Sequence, residues 1–255
     1  MPGIRERIGK RLARYLSAPI ERVRNPSTSP PTLVASTLRK GDVLLVDGNS
    51  RFSVAIRYLT QSTWSHAALC MADLVDGSGV PEPELIEADV IRGVQVVPLS
   101  KYAQFHTRIC RPVGLTTTEV DAVVDFANGQ MGHQYDMKNV FDLMRYLIHT
   151  PPLPNHVKRR ALALGSGDPT RAICSSLIAQ AFQAVHYPIL PQIVLDDESD
   201  QSHKRRELLS IRHHSLFAPR DFDVSPYFRI VKPTIESGFD PHKVAWAMGQ
   251  DVVAG

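Results

Sequence analysis

The hydrophobic pattern changes its period once, near residue 115, and that change constrains the fold more than any single residue does. Ahead of it lie short apolar runs bounded by turn formers: GDVLLVD from Gly41, SHAALCMADL from Ser65, ELIEA from Glu84, GVQVV from Gly93 and TRICRPV from Thr107. Such runs read as strands. One short amphipathic helix, Phe52–Thr60, interrupts them, with Ser50 or Ser53 near its start. Beyond residue 115 the spacing becomes helical. Thr116 and Glu119 form a capping box ahead of Val120, Val123, Val124 and Ala127. Asp136 caps a second stripe (Val140, Phe141, Met144, Leu147, Ile148) that Pro151 and Pro152 stop. A third helix runs from about Cys174 to Val185, and Tyr227–Lys232 reads as a returning strand. The charged stretch 196–206 reads as an exposed loop. Strands that are mostly antiparallel, then helices, then a strand again predict an α+β domain.

Charge and cysteine usage exclude several function classes. The 255 residues carry 29 basic and 26 acidic side chains. Residues 1–24 hold the excess, including Arg5, Arg7, Lys10 and Arg11, so the body is weakly acidic. A nucleic-acid partner is not expected, because the basic segment has Tyr15 as its one aromatic. Ile4, Ile8, Leu12 and Leu16 fall on one stripe. That stripe fits an interfacial helix making peripheral membrane contact, or a terminal helix docked on the body. Being narrow and without Trp or Phe, it favours docking.

Asn25–Thr32 (NPSTSPPT) reads as a non-helical linker. The expected organisation is therefore an arm and linker over 1–33, one folded domain over 34–233 and a tail over 234–255. No run of roughly 18 apolar residues and no apolar leader segment is present, which predicts a cytoplasmic chain, membrane-peripheral at most or exported by a dedicated machine. The three cysteines, Cys70, Cys110 and Cys174, form no CxxC pair, so neither a disulfide framework nor a structural zinc is expected. His66 and Cys70 have no second pair to complete a metal site. No phosphate-loop or dinucleotide fingerprint occurs, and no cofactor is expected.

Two residues carry the chemistry. Cys174 opens a helix directly after the breaker GSGDPTR. There the unpaired N–H groups of the first turn favour a thiolate and could hold an oxyanion. Histidine is the side chain whose pKa suits the accompanying base near neutrality. The residues alone leave alternatives open. Cys174 shares a stripe with Leu177, Ile178 and Phe182 and fits a small buried hydrophobe, and His66 fits a core histidine. Glu87, amid Leu85, Ile86 and Ala88, is costly to bury unless paired, and otherwise faces solvent on a half-buried strand. Asp42 reads as a turn or capping residue, and Ser65 and Ser175 as local hydrogen-bonders.

Taken in order, GDVLLV, TQSTWSHAAL, LIEADVIRGVQVVPLSKY, GHQYD and ICSSLIAQAF resemble the circularly permuted papain-like amidases of the NlpC superfamily, and within them the YiiX/YaeF-like branch. The resemblance spans about Leu38 to Lys232. It implies a small antiparallel sheet packed on helices, with the nucleophile opening a helix and the histidine on a facing strand. It makes Cys174 the nucleophile, His66 the general base and Glu87 the residue that orients it. Tyr135, with Ser175, would line the pocket or serve the oxyanion. The implied activity is hydrolysis of a peptide-like or N-acyl (lipid-type) amide through a thioester, with a small molecule, lipid or peptide as substrate. A lipid acyltransferase of similar fold and a catalytically idle membrane- or protein-binding module are the competing readings.

Overall fold

The computed structural model describes residues 11, 14–20, 27, 29–72, 82–89, 92–133, 173–195, 207–210 and 213–244. Helix α1 (Pro31–Thr37) leads into β1 (Val43–Val46), α2 (Arg51–Thr60) and β2 (His66–Cys70). The hairpin β3 (Glu84–Asp89) and β4 (Gly93–Pro98) follows, then a 3₁₀ turn (Leu99–Tyr102), β5 (Thr107–Pro112) and α3 (Thr117–Gly129). After residue 172 come α4 (Ile173–Ala184), the hairpin β6 (Gln192–Leu195) and β7 (Glu207–Ser210), α5 (Pro219–Val224), β8 (Phe228–Val231) and α6 (Pro233–Glu236). Six strands form one sheet in the order β4-β3-β2-β1-β5-β8, and every neighbouring pair is antiparallel. The fold is α+β, as the change of period requires.

Both faces of the sheet are covered, and this explains why β1 reads VLLV without alternation: all four residues are buried. Val43, Leu45, Ala67, Leu69, Ile86 and Ala88 face the helical layer with Leu177, Ile178 and Phe182 of α4 and Val123 and Ala127 of α3. Leu44, Val46, Ala68, Cys70 and Leu85 face the other way, under Val34 and Leu38 around α1 and Leu99 and Tyr102 of the 3₁₀ turn. Phe182 is fully buried and meets Phe222 and Phe228 in tilted and edge-on contacts. Truncating it to Ala would cost about 3–5 kcal/mol.

Local signals place the elements well. Ser50 caps α2 by accepting from the Ser53 N–H, and Thr116 and Glu119 form the expected capping box of α3. Two expectations need correction. The stretch 25–32 does not end as a non-helical linker, because α1 begins at Pro31; proline at a first helical position loses no hydrogen bond and its φ is already helical. The apolar run from Ser65 is strand only from His66 to Cys70. The charged stretch 196–206 lies outside the described residues, yet a strand pair, β6 and β7, flanks it where none was expected.

Asp42 stands at a turn as expected, its N–H donating to Arg39 O, and it does more. Besides accepting from the Arg39 N–H, it is 1% exposed and takes Arg111 through two bonds, Nε to Oδ1 at 2.8 Å and the terminal nitrogen to Oδ2 at 2.7 Å. It is thus both the turn residue expected and a buried tie between the start of β1 and β5.

Of the basic arm, residues 14–17 are helical, Leu16 is buried in the core, Arg51 donates to Tyr15 O, and Ile20 donates to Asn49 O. This described part of the arm docks on the start of α2. The expected helix from Asp136 lies outside the described residues. Among those described, no helix is long and apolar enough to cross a membrane.

Candidate active site

Three elements converge at one end of the sheet. His66 is the first residue of β2, Glu87 lies in β3, and Cys174 is the second residue of α4. The β2–β3 register pairs Leu69 with Ile86. Continued along both strands, it puts Ala68 opposite Glu87 and His66 on the adjacent diagonal of the same face. His66 Nε2 lies 2.8 Å from Glu87 Oε2. The Cys174 sulfur lies close enough to interact with the same ring, and both line one cavity. Since Nε2 is committed to Glu87, Nδ1 is the nitrogen left for the thiol. The structure therefore brings together Cys174, His66 and Glu87.

Glu87 sits in a larger network than sequence reasoning anticipated. Gln95, its cross-strand partner on β4, donates to Oε1 at 2.7 Å. Lys101 also bonds Oε1, and the Tyr102 hydroxyl donates to Oε2. Tyr102 lies 3.0 Å from His66 Nε2 as well. The hairpin and its 3₁₀ turn thus deliver the carboxylate and three of its four partners from residues 87–102. A hint existed for Gln95, because folding GVQVV back on LIEAD across a tight turn sets it opposite Glu87. Lys101 and Tyr102 gave none, since a single 3₁₀ turn leaves no period to read.

The electrostatics follow from these contacts. Burial disfavours a charged His66, but the Cys174 sulfur and Glu87 outweigh it and push its pKa up to about 10. Burial would raise Glu87 too, yet His66, Lys101 and Tyr102 hold its carboxyl well below the usual range. Burial, reinforced by Glu87, pushes the Tyr102 phenol well up, so it stays a proton donor. Cys174 is only 4% exposed, packed beside Ile56 and Phe52, but it borders a cavity of about 180 Å³ with His66, Glu87 and Tyr102. Cys70 and Cys110 are buried in the sheet, and burial pushes the Cys110 thiol well up.

Two expected pocket residues fare differently. Ser175 is fully buried and its hydroxyl donates to Phe217 O at 2.7 Å; it anchors α4 instead of lining the cavity. Tyr135 lies outside the described residues. Among the described residues no group of three or more His, Cys, Asp or Glu is placed to hold a metal ion.

No curated protein is similar in sequence to the chain. A crystal structure of metalloprotein yiiX from Escherichia coli O157:H7 is similar at 16% identity and a TM-score of 0.45, covering 76% of this chain and 96% of its own. Residues 37–146 match the family described as permuted papain-like amidase enzyme, YaeF/YiiX, C92 family. That segment includes β1–β5 with His66, Glu87, Gln95, Lys101 and Tyr102, and Cys174 lies beyond it. Over residues 37–146, less than half of its length, the chain is thus similar to the permuted papain-like amidases of the YaeF/YiiX, C92 family.

Proposed function

We propose that the protein is a cysteine amidase in which Cys174 is the nucleophile, His66 the acid–base and Glu87 the residue that orients His66. The observation that carries this reading is one imidazole held between a buried carboxylate and a sulfur at a cavity wall. Cys174 as thiolate attacks the amide carbonyl carbon. The N–H groups of the first turn of α4 hold the resulting oxyanion. His66 gives its proton to the leaving amine as the C–N bond breaks, leaving a thioester on Cys174. Water then attacks the thioester, His66 takes its proton, and the acid departs as the sulfur leaves. Glu87, with Tyr102 beside it, keeps Nε2 protonated and the ring turned so that Nδ1 meets the sulfur throughout.

The cavity is short. Phe52 and Phe105 give it apolar walls, while Ser50, Asp89 and Lys101 are polar groups on its lining. A slot of about 180 Å³ suits a compact peptide-like acyl group better than a long acyl chain.

Intact-mass spectrometry with an activated acyl amide tests the reading. The expected outcome is one acyl adduct on Cys174, its release as free acid, and a loss of at least about 10³-fold in turnover for Cys174→Ala. An adduct that persists in Cys174→Ala, or on Cys70 or Cys110, would overturn the assignment. Transfer of the adduct to an added alcohol or amine in preference to water would make the protein an acyltransferase instead.

A further inference from the structure

A second and larger cavity, of about 550 Å³, lies beside the site already described. Its wall comes from the end of α2, the lead-in to β2, the start of β5 and α5. Three guanidinium groups, Arg57, Arg108 and Arg220, line it against one carboxylate, Asp223. That carboxylate is already spent. Its Oδ1 takes Arg108 at 2.6 Å and its Oδ2 takes the Trp64 indole N–H at 2.9 Å. Arg57 leans on Asp47, which stands outside the lining. Arg220 donates to Thr60 O at 3.2 Å and meets no carboxylate among the described residues.

From this arrangement we propose that the cavity binds a phosphate monoester through Arg57, Arg108 and Arg220. Arg57 and Arg108 each have a carboxylate, Asp47 and Asp223, so the three guanidiniums leave one net positive charge at the cavity, at Arg220, for a further anion to meet. Solvated surface arginines would point apart, whereas these line one cavity. The site is also ordered in advance. Trp64 is 2% exposed, His106 stacks on it at 5.2 Å and 23°, and the Arg108 guanidinium lies over its ring at 5.0 Å. A fork held in this way loses little freedom when it binds. A carboxylate satisfies one fork. Three forks from three elements suit a dianionic, several-oxygen group.

The site adjoins the thiol cavity. Asp47 lies between Val46 and Gly48, and Trp64 just ahead of Ser65 and His66, all four of which line that cavity. Binding itself needs no thiol chemistry. Its failure would leave the amidase reading intact, and the failure of that reading would leave this site intact.

The full chain is titrated calorimetrically with inorganic phosphate and glycerol phosphate against ionic-strength-matched chloride, and tested for co-flotation with phosphatidate vesicles. Saturable phosphate binding is expected. It should weaken at least about tenfold in Arg220→Gln and stay unchanged in Arg229→Gln, a charge-matched change on β8. Arg220 is exposed, so its replacement leaves the core untouched. Tight glycerol phosphate binding would identify a soluble ester, and Arg220-dependent binding to vesicles alone would identify a lipid headgroup. Binding no better than chloride together with no Arg220-dependent flotation, or equal losses in the two variants in whichever arm binds, would overturn the proposal.

Discussion

Two carboxylates lie in the same sheet, Asp42 just ahead of β1 and Glu87 within β3, each 1% exposed and each bonded to a basic side chain. Burial pushes the Asp42 carboxyl above its ordinary range even against the paired fork of Arg111. It pushes Glu87 the same way, but there His66, Lys101 and Tyr102 prevail and hold the group ionised. The depth is equal; the company differs. Asp42 meets one rigid cation and a backbone N–H, which makes a tie between strands. Glu87 meets an imidazole, an ammonium, a phenol and an amide at the edge of a cavity, which makes an oriented, proton-holding group. Burial of a charge therefore does not mark a working site, whereas the titratable partner and the adjoining cavity do.

The largest effect expected from this contrast is on stability. Asp42→Ala leaves the Arg111 guanidinium, 12% exposed, without its counter-charge, and should cost about 3–5 kcal/mol in denaturant unfolding. Turnover per folded molecule should not change. Glu87→Gln should show the reverse emphasis. Lys101, 39% exposed, can turn to water, so the fold survives, while kcat/KM should fall about 10²–10³-fold as His66 loses its anchor. If Asp42→Ala removes activity from a folded chain, or Glu87→Gln leaves it intact, the division of labour is wrong.

How much of this the sequence discloses depends on the range of each contact. Strands and caps were legible because their causes are local: the apolar run Val43–Val46 between turn formers, or the Thr116–Glu119 pair. His66, Glu87 and Cys174 were legible only as a set of motifs in order, since each alone reads as an ordinary buried residue. Arg111 lies 69 residues from Asp42, and nothing near Gly41-Asp42 announces it, so Asp42 read as a turn. Ser175 misled because it stands next to Cys174; one step around a helix is about 100°, enough to turn its hydroxyl toward Phe217. Tyr102 ends the motif LIEADVIRGVQVVPLSKY, but its role depends on how the 3₁₀ turn folds back over β3.

The charge on His66 sharpens the contrast through pH. Its folded pKa, about 10, lies above the ordinary 6.5, so the protonated ring is the form that the fold stabilises. That contribution is complete below about 6.5 and fades as the pH rises toward about 10. Stability should therefore fall across this window, and the ring resonances of His66 should titrate near its upper end. In Glu87→Gln the titration should move to lower pH. A ring that titrates near 6.5 in the unaltered protein would mean that neither the carboxylate nor the sulfur holds it.

Tyr102→Phe should have the smallest effect and tests the network most finely. The hydroxyl has one proton, which it gives to Glu87, so toward His66 it can only accept or stand aside. Its removal frees Oε2 from one donor, while Gln95 and Lys101 still grip Oε1. The ring keeps its edge-on contact with Phe105, so packing is preserved. A loss of about tenfold in kcat/KM is expected, with the thermal midpoint nearly unchanged. The discriminating readout is the pH profile. If Tyr102 acts through Glu87 on His66, the His66 titration moves partway toward its position in Glu87→Gln, and the double variant loses no more than Glu87→Gln alone. A purely structural tyrosine would lower the thermal midpoint and leave the titration where it was.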